Sequence, residues 1–593
     1  LTTAVLAGLT GVAGMVSVAN AVNVNPDGLG QVLIYPYYSA RGGNDTLISV
    51  VNTSSQAKAA KVRFLEGLNS REVLDFNLYL SAFDVWTAAI TADDDGAKLV
   101  VADSSCTVPY FFGQGGGGPD TFGEQQFLTF NFTGDFEDGA TTAEERVASG
   151  YFEIVDMGNV IGDTPVVSGG QLLGFSDRQA SEAGEIVSAR GSEWALTHVP
   201  VFDPESGDPV LDANGNQIRR PRECQQLVTA WSETSIGATP SEFYWTLSAG
   251  EEDLVAPAGG DLFGSASIIN VEKGTMFAYN ATAIDNWTTL VNHQRSGNFG
   301  PGLIGGNQTT SNVFESQGGA GIVETAWDDS LSAVNAVLMN NRILNEYNIE
   351  DSVGAKTEWV LTFPTKRFHV DTRFGFGGTK PVLDDAGDPV FDDDGNPVVE
   401  PVAVPPFSFE FDGQSCEPLG FNFWDREERI LSEQAEVIPP IVSPEPPPTV
   451  TPLNLFEACF EANVVRFARA DAEVPESSEI FAEPRFTTFP LPQEFQSGWM
   501  RMGFDLELLA AQLNENDIAQ LKDDLGLVDE ARELTSPPQP DGTVDTFFGL
   551  PVLGFGVTTF TNSTLEVDGQ TVLSNYGSTF DHRGTRRIES SVD

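Results

Sequence analysis

Apolar and β-branched residues alternate with polar ones in short runs along most of this chain, and that period of two predicts strands rather than helices. Residues 31–38, 46–54 and 59–65 are the first three runs, with Asn52-Thr53-Ser54 as turn formers before the third. Runs at 73–80 and 83–90 follow. Short strands at this spacing are the signature of a β-sandwich, so residues 22–105 are expected to form an immunoglobulin-like unit. Residues 151–155 and 265–271 read as core strands, the second turning at Glu272-Lys273-Gly274 into 275–279 as a hairpin. The expected fold class is mainly β, made of immunoglobulin-like β-sandwich units with a few accessory helices.

Two stretches change period. Over 323–347, Leu331, Val334, Val337, Leu338, Ile343 and Leu344 recur at helical spacing, with Asp328 and Asp329 as favourable charges near the start. The second is 506–525, rich in Leu, Ala, Glu and Gln. Arg367, His369 and Asp371 fall on one face if their segment is a strand, giving either a polar site or a solvated face.

The first residues carry a different pattern. An apolar, small-residue run ends in Ala19-Asn20-Ala21, which reads as residues 1–21 of a truncated secretory signal, cleaved after Ala21. The remaining chain of about 570 residues has room for three or four domains at roughly 150 residues each. We divide it into the 22–105 sandwich, a β-rich region at 106–432, a Pro-rich loop or linker at 433–453 and a C-terminal β-rich region with a helix at 454–593. No later segment has the continuous apolar length of a membrane helix.

Charge narrows the function. The chain has 86 acidic against 31 basic residues, a formal charge of −55, yet 40% of it is hydrophobic and 41 residues are Phe. That is a folded protein with an acidic surface, and such a field repels phosphate backbones, so nucleic acid is excluded as a partner. The carboxylates either keep an extracellular protein soluble or bind calcium. Four cysteines, Cys106, Cys224, Cys416 and Cys459, suit two disulfides in an oxidising compartment. Sequence order favours Cys106 with Cys224 and Cys416 with Cys459, one of three connectivities. Seven prolines between 438 and 452 make an extended segment, and a Cys416–Cys459 bridge would staple its ends as a loop.

A weak duplication is visible. Ser192-Glu193-Trp194-Ala195-Leu196-Thr197 parallels Thr357-Glu358-Trp359-Val360-Leu361-Thr362, and an acidic hairpin and then a cysteine follow each. The hairpins place Asp212, Asn214 and Asn216, and Asp392, Asp394 and Asn396, at alternate positions, like the first half of a calcium loop. Neither has the glycine required at the sixth position, and the same residues are ordinary turn formers, so calcium and turn readings both stand. Catalysis has little support. There is no Gly-x-Ser-x-Gly elbow, only four histidines exist, and among 86 acidic residues spacing selects no glycosidase pair. Trp194, Trp231, Trp359 and Trp424 sit in apolar strand patterns and read as core.

Residues 46–64, Asp84-Val85-Trp86-Thr87, the stretch 358–366 and Leu550-Pro551-Val552-Leu553-Gly554-Phe555 resemble uncharacterised exported β-rich proteins of Gram-negative bacteria. The resemblance implies export and brings no activity. The expectation is a secreted or cell-surface structural or adhesive protein without catalytic activity, associating with itself or with other surface components through strand edges or ribbons. The alternatives are an extracellular carbohydrate- or calcium-binding module and a carboxylate-based extracellular hydrolase.

Overall fold

The computed structural model describes residues 21–593 apart from positions 95, 110, 112–122, 161–165, 169–170, 174–197, 204–205, 212–214, 222–254, 298–299, 317–320, 383–388, 393–394, 432–440, 444–455, 513–531, 562–563, 568–569 and 593. The chain is mainly β, 52% strand and 9% helix. Four large sheets carry it.

Sheet A, of eight strands, runs Asn23–Val24, Thr282–Asp285, Val32–Ser39, Ser149–Val160, Ala57–Glu66, Glu72–Leu80, Cys106–Val108, with Val255–Ala256 also paired to Ser149–Val160. Sheet B runs Thr275–Asn280, Leu262–Asn270, Asn44–Asn52, Val85–Asp93, Gly96–Val101, Gly123–Gln126. The strands within 22–105 therefore share both sheets with 149–160 and 255–285. The expected hairpin is present, Leu262–Asn270 pairing antiparallel with Thr275–Asn280. Leu33, Tyr35, Val62, Phe76 and Phe152 of sheet A meet Ile48, Val50, Trp86, Ile90 and Ile268 of sheet B in one core.

Sheet C contains Glu417–Asp425, Ser497–Gly503 and Arg342–Asn348 at its centre. Sheet D runs Ile441–Ser443, Phe486–Leu491, Ala462–Arg469, Ala355–Thr362, Leu553–Phe560, Tyr576–Asp581. Alternation along sheet D sends Trp359, Leu361, Val465 and Phe467 into a second core with Tyr347, Phe421 and Met500 of sheet C. Their neighbours Val360, Val464, Phe555 and Val557 join the first core. The central strands of sheet D are thus buried on both faces. A third core lies on the outer face of sheet A, where Val32, Ile34, Tyr151 and Val155 pack against Val334, Val337 and Leu338 of the helix Ser330–Leu338.

That helix corrects the sequence reading. It spans only Ser330–Leu338, between strand Gly321–Ala326 and the short strand Met339–Asn340, which Arg342–Asn348 follows. Asp329 caps it, accepting from Ser332 N at 2.8 Å. Beyond Asn341 the pattern returns to period two, with Ile343, Asn345 and Tyr347 buried, so the helical placing of Ile343 and Leu344 is a coincidence of spacing. The second helix is Leu506–Gln512, and the rest of its expected span lies largely outside the described residues. The proposed strand face of Arg367, His369 and Asp371 is also overturned. Arg367–Val370 is a helical turn begun at Pro364-Thr365-Lys366, and Arg367 Nε bonds Asp371 Oδ2 at 3.1 Å one turn on.

The Cys416–Cys459 disulfide is formed, joining the chain on either side of the Pro-rich segment, and Ile441–Ser443 pairs with Phe486–Leu491 of sheet D. Cys106 is also disulfide-bonded. Cys224, Ser192 to Thr197, Trp231, the expected signal through position 20 and most of the Pro-rich run lie outside the described residues. No described helix is long and apolar enough to cross a membrane.

Candidate functional site

The two acidic hairpins have the same construction. In the first, Val201 N bonds Ile218 O at 2.9 Å, Ile218 N bonds Val210 O at 2.9 Å and Val210 N bonds Val201 O at 3.0 Å. The second repeats this closed triangle with Val382, Val398 and Val390, at 2.9, 2.8 and 2.8 Å. Gly215 and Gly395 sit at φ +84° and +83°, the left-handed turn position that glycine adopts without strain. In the second turn the Asp392 carboxylate accepts from Asn396 N at 2.8 Å and from Asn396 Nδ2 at 3.4 Å. Those bonds are turn chemistry. Asn216 is described and exposed, while Asp212, Asn214 and Asp394 lie outside the described residues.

Three of the four histidines serve packing. His293 Nε2 lies 2.9 Å from Tyr79 Oη, His369 Nε2 2.9 Å from Asn335 Nδ2 and His582 Nε2 3.0 Å from Val360 O. Burial lowers the His369 and His582 imidazoles to about 4, so both are neutral at pH 7. His198 Nδ1 stands 3.9 Å from Asp84. Trp359 is core, as expected, whereas Trp424 is half-buried and stacks on Trp499 at 4.0 Å.

Two features were not legible as sites. The first is the outer face of sheet B. Register aligns Ala278, Ser267, Leu47, Ala89 and Val100 across it, then Ser265, Ser49 and Thr87, then Phe263, Val51 and Val85. None of these residues is charged. Leu47, Val85 and Phe263 are exposed, and the small side chains between them leave a groove of about 430 Å³. Charged groups flank it on the same sheet: Asp45 on one side, and Asp93, Lys98, Glu124 and Asp103, whose carboxylate accepts from Thr87 N at 3.1 Å, on the other. The edge strand adds exposed Met276.

The second is a cavity of about 430 Å³ between the outer face of sheet A and the 364–376 segment. Arg63, Arg71, Glu72, Glu153 and Arg367 line it together with Phe136, Tyr151, Leu303, Ile304, Phe374 and Phe376. Arg63 pairs with Glu72 at 2.7 Å and with Glu153. The Arg71 guanidinium stacks 3.6 Å from the centroid of Phe374 and joins Asp138 and Asp371 at 3.3 and 3.2 Å. Behind them Arg146 binds Glu66 at 2.8 Å and Asp138 at 2.7 Å. Burial raises the Asp138 carboxyl, but Arg146, Asn69 and Arg71 outweigh it and bring the group down to about 2. Ser70 holds a left-handed φ of +51°, with Oγ 2.7 Å from Tyr151 Oη. Beneath lie Glu461, pushed up to about 8 by burial, and Lys366, pushed down to about 8 by burial. The available signal was the concentration of scarce cations: Lys58, Lys61 and Arg63 occupy one strand of a chain with 31 basic residues.

Comparison of the chain with family models, with curated proteins and with solved structures gives no match.

Proposed function

We propose that this is an exported structural or adhesive protein without catalytic activity, built on immunoglobulin-like sandwiches, and that it associates with a second copy of itself through the outer face of sheet B. The uncharged face of eleven aligned residues carries this reading, because the chain as a whole bears −55. Two such chains repel wherever carboxylates meet, and this face lets them approach without desolvating charge. At about 4.8 Å per strand and about 6.8 Å between residues on one face, the eleven residues cover roughly 360 Å². A stable interface uses about 800 Å² per partner, so a concentration-dependent association is expected rather than a permanent dimer. Export is supported by Cys416–Cys459 and by the bridged state of Cys106, since such bonds persist in oxidising compartments.

The test is molar mass by light scattering across a range of protein concentration, with calcium and with chelator. Mass should rise with concentration, and Leu47→Asp together with Ala89→Glu should hold the chain monomeric. Association that vanishes only in chelator would move the assignment to the acidic hairpins and calcium. A monomer at every concentration would remove the self-association reading.

The cavity favours a second reading, a binding module. Its volume lies in the ligand-pocket range and its walls are largely apolar with a few converging polar groups. Saturable fluorescence of an amphipathic dye, lost in Ile304→Trp, would support it.

A further inference from the structure

We infer that Lys58 and Asn159 become joined by an intramolecular amide bond, with Asp156 as the proton carrier. Asn159 and Lys58 are directly opposed partners on adjacent strands of sheet A, Ser149–Val160 and Ala57–Glu66. Lys58 Nζ lies 2.9 Å from Asn159 Oδ1 and 2.8 Å from Asp156 Oδ2. The side chains of Lys58 and Asp156 are completely buried, and Asn159 retains 9% exposure.

A backbone irregularity makes this meeting possible. Residues 156 and 159 are three apart, and regular alternation would turn them to opposite faces. The register shifts between Asp156 and Gly158, so that Asp156 faces Ala60 while Asn159 faces Lys58. Both side chains then fall on the face of Lys58, the re-aiming that bulges perform. Gly158 stands at φ +141°, and a Cβ there would lie 2.5 Å from Ala256 O. The trio is also held from outside. Asn159 Nδ2 donates to Pro257 O at 3.1 Å, Asp156 Oδ1 accepts from Gly158 N at 3.0 Å, and Gly259 packs where a Cβ would come within 3.5 Å of Lys58 Nζ. Asp261, with a side chain 45% exposed, stands 3.7 Å from Nζ at the solvent edge.

The chemistry balances within these groups and needs no oxidant or cofactor. The Lys58 ammonium passes a proton to Asp156 Oδ2, 2.8 Å away. The freed amine attacks Asn159 Cγ. Asp156 shuttles a proton from the attacking nitrogen to Nδ2, the Cγ–Nδ2 bond breaks, and ammonia leaves as the Nζ–Cγ amide forms. Fixed geometry supplies the rate, since intramolecular reactants held in contact reach effective concentrations of about 10⁵ M or more. The product fastens the end of Ser149–Val160, where the chain leaves sheet A, to the neighbouring strand.

Intact mass of the purified, disulfide-reduced full chain tests this, followed by peptide mapping. The chain should be one ammonia lighter than its sequence requires, and one branched peptide should contain both Lys58 and Asn159. Lys58→Arg keeps the charge but cannot condense, and it should show the full mass, as should Asp156→Ala and Asn159→Ala. A wild-type chain of full mass, with Lys58 open to amine labelling after unfolding, would overturn the inference. So would ammonia loss without the branched peptide, which would point to succinimide formation at Asn214-Gly215 instead. Ammonia loss retained in Asp156→Ala would remove the proton-carrier role. The wild-type mass decides even if a variant fails to fold.

Discussion

At the scale of residues, several of the chain's few cations pair with buried carboxylates. Arg63, Arg71, Arg146 and Lys58 are all buried and all paired with Asp or Glu. Where pairing is incomplete, stability depends on pH. Burial raises Glu461 to about 8 and Glu457 to about 7, from an ordinary 4.5. The folded state therefore keeps protons that the unfolded chain releases, and stability falls as pH rises from about 4.5 to about 8. Asp138 contributes the opposite sign, but only where pH falls toward 2, and Lys366 acts only above about 8. Glu461→Gln removes the largest contributor. We expect it to flatten the decline of melting temperature over pH 5 to 8 and to gain on the order of 2 kcal/mol at pH 8. Equal slopes for wild type and variant would show that Glu461 ionises without penalty. None of these groups stood out in the sequence, because whether a carboxylate is buried beside a cation depends on strands far apart in the chain.

At the scale of elements, local chemistry was legible wherever it was complete within a few residues. The hairpin at 272–274 and the first strands needed only alternation and turn formers. The helix did not, because Leu331, Val334, Val337, Ile343 and Leu344 fit a helical stripe on both sides of its actual end. What limits it is the Asp329 cap and the pairing of Arg342–Asn348 with Ser497–Gly503. Asp329→Ala should cost about 1 kcal/mol, read as a shift in the denaturant midpoint with unchanged slope. A neutral result would mean that packing of Val334, Val337 and Leu338 alone sets the helix start. The Arg367–Val370 turn was misread for a related reason. Five residues with one cation, one histidine and one acid match a strand face and a helical turn equally well, and the preceding Pro364-Thr365-Lys366 turn decides between them.

At the scale of the whole molecule, sheet D ties the cores together. Its strands feed the first core with Val360 and Phe555 and the second with Trp359 and Phe467, so neither core can open without exposing part of the other. One cooperative unfolding transition is expected for sheets A to D by calorimetry, and two resolved transitions would show that the sheet D contacts are weak. Replacing Cys416 and Cys459 by Ser frees a loop of 43 residues. It should cost about 2–4 kcal/mol and leave the native secondary structure intact.

The sequence by itself determined the mainly β class, the positions of the longer strands in the first half of the chain and the acidic charge, because each follows from local period, composition or count, whereas Cys416–Cys459 was one of three connectivities until the structure formed it. Only the tertiary structure decided that the central strands of sheet D are covered on both faces, that sheet B carries an uncharged patch, and that Asp156 and Asn159 converge on Lys58. Alternation tells which residues share a face but not what covers it. A single register shift at Gly158 reverses that alternation through contacts with a strand about 100 residues away.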